Sequence, residues 1–404
     1  NLSTTFCLAA EDLLDIYKLA MVADPQLKQS QMAHQIALEK KQQDLSRMLP
    51  SIDVSGDRTE NSQKRTADYS RLGGDKNDTS KTNFSSYGYS LVIKQPLFRY
   101  ENNVNYKKAD DRIKQTRADL VSVEQALIVR LSERYFDVLA AQDSLRFTHA
   151  EKQAVKKQLA QAEGRLEAGL AAITDVYEAR AQLDTTMAQE IVAQNNVSNN
   201  LESLREITNR YHEKLKPLVL SFDMVRPELS SVSEWETLAL NNNLELMALD
   251  YRNKWLRREI KTQRTGHYPK LDLLMIYSKM TSGGGNIGSS DTENRLIKLQ
   301  LNVPIYRGGF VTSRVKEAQY QYEKNLEKLE ASRRSVRRQV HKSYLGVLAS
   351  LALVKSLKQS VISRSKALKA IEAESQVGRR TTVDILQANK KLYGAERDYE
   401  RARY

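Results

Sequence analysis

The chain has 404 residues, with 63 Lys and Arg against 50 Asp and Glu, which gives a formal net charge of +13. Its single cysteine, Cys7, excludes an intrachain disulfide framework and a cysteine-rich metal site. The sequence holds no uninterrupted run of 18 apolar residues, so we expect no transmembrane helix. With 7 prolines and 16 glycines, the composition favours long unbroken helices.

The first ten residues are uncharged and rich in small residues, and the acidic residue Glu11 follows them. This pattern is typical of the end of an export signal. Cys7 would suit lipid attachment, but bulky Phe6 precedes it where such a motif needs a small residue. We therefore interpret residues 1–10 as a residual signal-peptide-like segment that carries no lipid.

Taken in order, the chain predicts two tandem copies of one pattern: a helix, two strands and a long helical hairpin. The first copy covers residues 11–215, with strands at about 51–60 and 85–95 and a hairpin over 99–213 whose tip lies near residue 169. A linker over 216–233 leads to the second copy, 234–404, with strands at about 270–280 and 294–303 and a hairpin over 309–404 whose tip lies near residue 378.

Within this pattern, the first helix is expected over 11–48 with a break near Pro25, and its counterpart over 235–265. Residues 57–83 are polar, and we interpret them as a long loop between the first two strands. The proline-free stretch 99–166 would form a helix ~100 Å long at the usual rise per residue. A helix of that length has to pack in a coiled coil or a barrel of helices.

The duplication depends on identical residues that recur at nearly constant spacing. The pairs are Asp53 with Asp272, 219 positions apart; Arg99 with Arg307, 208 apart; and, at the tips, Gly169 with Gly378 and Asp175 with Asp384, each 209 apart.

Each tip is predicted to be a sharp turn between two helices. Glycine readily adopts the positive φ that ends a helix, and threonine or aspartate a few residues later can cap the next one. The residues in these capping positions are Thr174, Asp175, Thr382 and Asp384.

The strands alternate between apolar and polar side chains, most clearly over 87–95 and 297–303. Such strands suit a transmembrane β-barrel, but four of them cannot close one, and open edges are not tolerated in lipid. We therefore expect an oligomer, and a trimer would supply 3 × 4 = 12 strands and as many hairpin helices. A small soluble sheet that caps a coiled coil remains the alternative.

Three segments carry a resemblance to a known family: GLAAITDVYEARAQLD at 169–184, VPIYRGGFVTSRVKEAQY at 303–320 and VGRRTTVDILQA at 377–388. They are similar to segments of the outer-membrane efflux protein family, and the likeness extends over nearly the whole chain. The resemblance implies an α+β membrane protein. It would be a homotrimer with a 12-stranded β-barrel among outer-membrane lipid and a 12-helix α-barrel that crosses the periplasm.

The same resemblance implies a function and partners. The chain would be the exit duct of a tripartite drug efflux pump, of type I protein secretion, or of both. It would open when a periplasmic membrane-fusion adaptor and an inner-membrane pump of the RND, ABC or MFS type dock at its tip. Four residues match the family's short docking motifs: Gly169, Leu170, Val377 and Gly378. Helix-ending glycines without a binding role are the alternative.

In the family, acidic rings constrict the tip and bonds between neighbouring hairpins close it. Asp384 matches one ring position, whereas Gln387 stands where the family has a second acid. A single ring predicts a weaker block by cations than two rings would give.

The family's gate network maps onto both hairpins. Arg380 matches the gate arginine, and Thr174 and Asp175 match its partners, so we expect a bond between Arg380 and Asp175 of different hairpins. Ser375 replaces the gate tyrosine, which predicts a less tightly sealed tip. Helix capping without gating is the alternative for the Thr and Asp residues.

Other functions find little support. The arginine-rich run 333–338 lacks neighbouring aromatic residues, so we expect no nucleic-acid partner. The five histidines lack ligand spacing, so we expect no metal, and we also expect no cofactor and no enzymatic activity. The alternative function is a periplasmic or cytosolic coiled-coil scaffold without a pore. A membrane-fusion adaptor is disfavoured because it carries one hairpin.

Overall fold

The computed structural model describes residues 10–67, 78–212, 214–218, 231–284, 288–377 and 379–404. The helices are α1 Leu13–Ala23, α2 Pro25–Ser46, α3 Tyr100–Glu167, α4 Ile173–Thr208, α5 Val232–Asn242, α6 Leu244–Arg264, α7 Phe310–Gln376 and α8 Thr382–Arg403. The strands are β1 Ser51–Ala67, β2 Asp78–Phe98, β3 Lys270–Ser282 and β4 Ser290–Asn302. Residues 1–9 of the signal-like segment, most of the linker, and Gly378 lie outside the described residues.

The four strands form one antiparallel sheet in the order β1-β2-β3-β4. It consists of two hairpins, β1–β2 and β3–β4, and the pairing of β2 with β3 joins them. Among the described residues, β1 and β4 each have a neighbouring strand on one side only. The predicted succession of helix, strand pair and helical hairpin is confirmed in both halves.

The predicted loop over 57–83 is wrong at both ends, because β1 continues to Ala67 and β2 already begins at Asp78. These polar residues pair across the hairpin in an unbroken register. Hydroxyl side chains support the pairing, as where the Oγ1 atoms of Thr66 and Thr79 lie 3.3 Å apart. The polar composition of these residues therefore reflects strands without a buried face, and it does not indicate a loop.

The first helix breaks where predicted, since Asp24 accepts a 2.9 Å bond from the backbone N–H of Leu27 and so caps α2. The helix expected over 235–265 is divided in two, because α5 ends and α6 begins at Asn243. Asn243 and Asp24 are 219 positions apart, so both repeats break at the same place. A proline, Pro25, follows the first break, whereas Leu244 follows the second.

One described helix, α7, contains an 18-residue window whose length and composition would suit a membrane span, and 6% of that window is buried. The expectation of no transmembrane helix rests on a different criterion, the absence of an uninterrupted apolar run, and it stays a prediction.

The chain divides into two compact units, Asn1–Met32 with Asp119–Glu245 and Ala331–Tyr404, and Ala33–Ala118 with Leu246–Glu330. The first unit contains the hairpin tips and the larger apolar core. This core joins α1, α2, α3 and α4 through fully buried side chains such as Ile16, Leu27, Leu131 and Leu204. Burial of one such side chain stabilises the fold by roughly 1.5–3 kcal/mol. The second unit contains the whole sheet.

Candidate gate at the hairpin tips

The first tip turns at Gly169, which has a φ of 70°. The backbone N–H of Leu170 donates to the carbonyl of Arg165 at 2.8 Å, which satisfies a carbonyl at the end of α3. The predicted helix-ending role of Gly169 is confirmed. The turn leaves the side chain of Leu170 79% exposed.

The start of α4 differs from the prediction. The N-cap residue is Ala172, and no side chain caps it. Thr174 and Asp175 lie in the first helical turn, and neither supplies the missing side-chain cap. The expectation that they cap α4 is therefore wrong. A carboxylate in the first turn still interacts favourably with the helix dipole.

The start of α8 is a capping box. Thr381 is the N-cap, and its Oγ1 accepts from the backbone N–H of Asp384 at 3.2 Å. The carboxylate of Asp384 in turn accepts from the backbone N–H of Thr381 at 3.0 Å. The bonds that this carboxylate accepts from the backbone N–H and from the hydroxyl of Thr381, with a smaller contribution from Arg380, hold the pKa of Asp384 below its usual range. Thr382 does not cap the helix but is buried.

Within the chain, Arg380 pairs with Glu374 at the end of α7, where its Nε donates to Oε2 at 2.8 Å. This carboxylate raises the pKa of Arg380. The pair spans the second tip, six residues apart in sequence, and sequence reasoning did not find it. The bond between Arg380 and Asp175 joins different hairpins and stays a prediction.

The two positions that depart from the family pattern have opposite surroundings. Ser375 is buried, and its hydroxyl has no hydrogen-bond partner among the described residues. Gln387 is exposed and lines a groove between α7 and α8 together with Lys390 and Lys391. The residues that follow Asp384 on this groove are thus an amide and two lysines, and they do not form a second acidic layer.

Small side chains allow the helices beneath the tips to approach closely. Ala179 on α4 is fully buried and packs with Val155 on α3 and Leu386 on α8. A larger residue at Ala179 would force these helices apart. Both hairpins are therefore held together just behind the residues that the sequence assigns to the gate.

Buried ion pairs connect the same helices. Arg397 on α8 lies 2.6 Å from the carboxylate of Glu151 on α3, whose side chain is 1% exposed. Within the first hairpin, Glu190 accepts from Lys152 and, at 2.7 Å, pairs with His149. These two partners lower the pKa of Glu190. No pattern in the sequence predicts these pairs, because their members are 246 and about 40 positions apart.

Comparison with known proteins identifies relatives over nearly the whole length. The family described as "Outer membrane efflux protein" matches residues 16–210 and 235–404. The chain is 34% identical to outer membrane protein TolC of Vibrio cholerae over 98% of the chain and 88% of that protein. It is 28% identical to the alkaline protease secretion protein AprF of Pseudomonas aeruginosa, over 97% and 81%.

A solved structure shows the same fold. The outer membrane channel CmeC of Campylobacter jejuni superposes with a TM-score of 0.78 at 16% identity and covers 97% of this chain and 82% of its own. The predicted succession of elements is therefore one that a known channel also has.

Proposed function

This chain belongs to the outer membrane efflux protein family, and from that premise we propose that three copies share one wall around one duct. The chain is an outer-membrane exit duct for efflux and secretion. In the proposed trimer, three four-stranded sheets close a barrel of 3 × 4 = 12 strands. The paired helical hairpins form the tunnel.

The observation that carries the proposal is the surface of the sheet. Every residue of β4 is exposed, including Ile297, Leu299 and Leu301. A soluble sheet buries one face, whereas these apolar side chains face outward and alternate with Lys298 and other polar residues. Lipid on one side and water on the other account for this alternation. A coiled-coil scaffold has no need of it.

At the tip, Asp384 of three copies forms a carboxylate ring in the proposed assembly. Arg380 has two competing acidic partners, Glu374 on its own hairpin and Asp175 on a neighbouring one. We infer that the closed tip holds Arg380 against Asp175 and that the pair with Glu374, 2.8 Å in the chain, holds it when the tip opens. The exposed position of Thr174 and the missing side-chain cap of α4 support this, because they leave both partner side chains available.

The proposed partners are a periplasmic membrane-fusion adaptor and an inner-membrane pump of the RND, ABC or MFS type. The adaptor would dock on the tips at Gly169, Leu170, Val377 and Gly378. Two apolar side chains support this site, since Leu170 and Val377 are 79% and 70% exposed. A helical hairpin with an apolar stripe would cover them.

Ion conductance across a planar bilayer tests the proposed duct. We expect the detergent-purified oligomer to insert and produce discrete, long-lived current steps, because water fills a closed barrel of this size. Protein dissociated by heat before addition is the matched control and should give no steps. Insertion of an intact oligomer without current would contradict the duct and support the scaffold.

A further inference from the structure

We propose that Arg307 forms an ion pair with Asp53 of the next copy of the chain, and that this pair sets the register in which β4 meets β1 of that copy. The inference rests on the proposed function, since it presumes that several copies close one barrel. Its basis lies in the sheet and in the internal repeat.

The pairing of β2 with β3 is the one place in the sheet where the two repeats meet. Just after the end of β2, Arg99 donates two hydrogen bonds to Asp272, from Nε to Oδ1 at 2.7 Å and from an Nη to Oδ2 at 2.5 Å. Both side chains are largely buried. Such bidentate pairs fix geometry as well as adding energy.

Each member of this pair has a counterpart in the other repeat. Arg99 corresponds to Arg307 at an offset of 208, and Asp272 to Asp53 at an offset of 219. Arg307 lies after β4 and Asp53 lies in β1, the two strands with an open edge. Both side chains are exposed, and neither has an ion-pair partner within the described chain.

The hairpin registers show that these offsets describe the structure as well as the sequence. In the first hairpin Ser51 pairs with Lys94. Adding 219 and 208 gives 270 and 302, and in the second hairpin Lys270 does pair with Asn302. The two repeats therefore superpose strand on strand, and a contact between repeats in one chain can recur between chains.

Applying the two repeat offsets to the register of β2 and β3 predicts how β4 pairs with β1 of the next copy. Ser90 opposite Ser278 becomes Lys298 opposite Thr59, because 90 + 208 = 298 and 278 − 219 = 59. On this face Lys298, Gln300 and Asn302 then lie opposite Thr59, Asp57 and Ser55, whereas on the other face Ile297 and Leu299 lie opposite Glu60 and Arg58. A slip by one residue would turn every side chain of one strand to the opposite face.

The exposed apolar residues at the two edges also match. In the same transfer, Phe98 opposite Leu271 becomes Tyr306 opposite Ile52. Tyr306 and its neighbour Ile305 are 86% and 91% exposed, and Ile52 is exposed too. Residues 95–98 are part of β2 because β3 pairs with them, whereas 303–306 have no partner and lie outside β4. Pairing with β1 of the next copy would extend β4 through them.

Charge reversal tests the ion pair. We expect Arg307→Glu and Asp53→Arg each to weaken association of the copies on the order of tenfold or more, because each leaves like charges at a covered interface. The double variant restores the opposite charges and should recover most of the loss. Association is measured as the oligomer fraction against protein concentration in detergent.

The matched control for charge reversal is Arg65→Glu. Arg65 is an exposed arginine in the other half of β1. The transferred register, which has Lys298 opposite Thr59, places Arg65 opposite the uncharged Thr292. Its reversal should leave association unchanged. Failure of the double variant to recover association would overturn the ion pair.

Disulfide trapping tests the register. In a Cys7→Ser background, Thr59→Cys with Lys298→Cys should cross-link neighbouring copies when copper phenanthroline is the oxidant. Thr59→Cys with Ile297→Cys, one residue out of register, should not, because the two side chains lie on opposite faces. Equal cross-linking of both pairs in a conducting oligomer would overturn the register and leave the duct intact. Absence of any oligomer from the unsubstituted protein would overturn the duct itself.

Discussion

Replacing Asp384 by asparagine is expected to weaken block of the channel by a multivalent cation on the order of tenfold or more, because three like charges vanish from a narrow passage. Asparagine keeps an oxygen that can accept from the backbone N–H of Thr381, a bond of 3.0 Å in the wild-type chain. The helix start therefore survives, and the change reports on charge alone. The measurement is the concentration of hexaamminecobalt that halves single-channel current.

Two variants control this experiment. Asp384→Glu retains the charge and should retain the block. Asp398→Asn removes an exposed carboxylate from the same helix, fourteen residues from the ring position, and should change the block little. Equal block in Asp384→Asn and the unsubstituted channel would remove Asp384 from the constriction and leave it a helix-capping role.

Arg397→Met is expected to destabilise the protein by about 3–5 kcal/mol, because it leaves a buried carboxylate without its partner. That carboxylate belongs to Glu151, whose side chain is 1% exposed and which ties α3 to α8. The loss should appear as a lower midpoint of urea unfolding, followed by circular dichroism in detergent.

The control for this prediction is an exposed pair between the helices of the first hairpin. Arg180 and Glu163 lie 3.0 Å apart, and each side chain is about half exposed, so Arg180→Met should cost less than about 1 kcal/mol. Adding Glu151→Gln to Arg397→Met should recover most of the lost stability, since it removes the buried charge. Equal effects of Arg397→Met and Arg180→Met would contradict the assignment.

Much of the fold could be predicted because the sequence repeats itself. Gly169 predicted a turn, because glycine readily adopts positive φ, and the alternation over 297–303 predicted a strand. The break at Asn243 is less clear in the sequence than the break at Pro25, because asparagine, unlike proline, leaves a helical N–H in place. The residues of β1 beyond about 60 were missed because a hairpin that faces water on both sides has no apolar alternation to reveal it.

The candidate site was predictable in residue type and less so in contacts. Helix capping by Asp384 followed from its position, and the structure adds the reciprocal bond from Thr381. The partner of Arg380 within the chain was not foreseen, because Glu374 stands on the preceding helix and only the geometry of the turn brings it within 2.8 Å. Pairs such as Glu151 with Arg397 depend on how two hairpins pack, which local pattern does not encode.

The number of chains in the detergent-extracted protein tests the shared wall most directly, and native mass spectrometry counts them. We predict three chains per particle, because a four-stranded sheet with two open edges cannot close on itself in lipid. Particles that contain one folded chain, extracted from the outer membrane under the same conditions, would contradict the account.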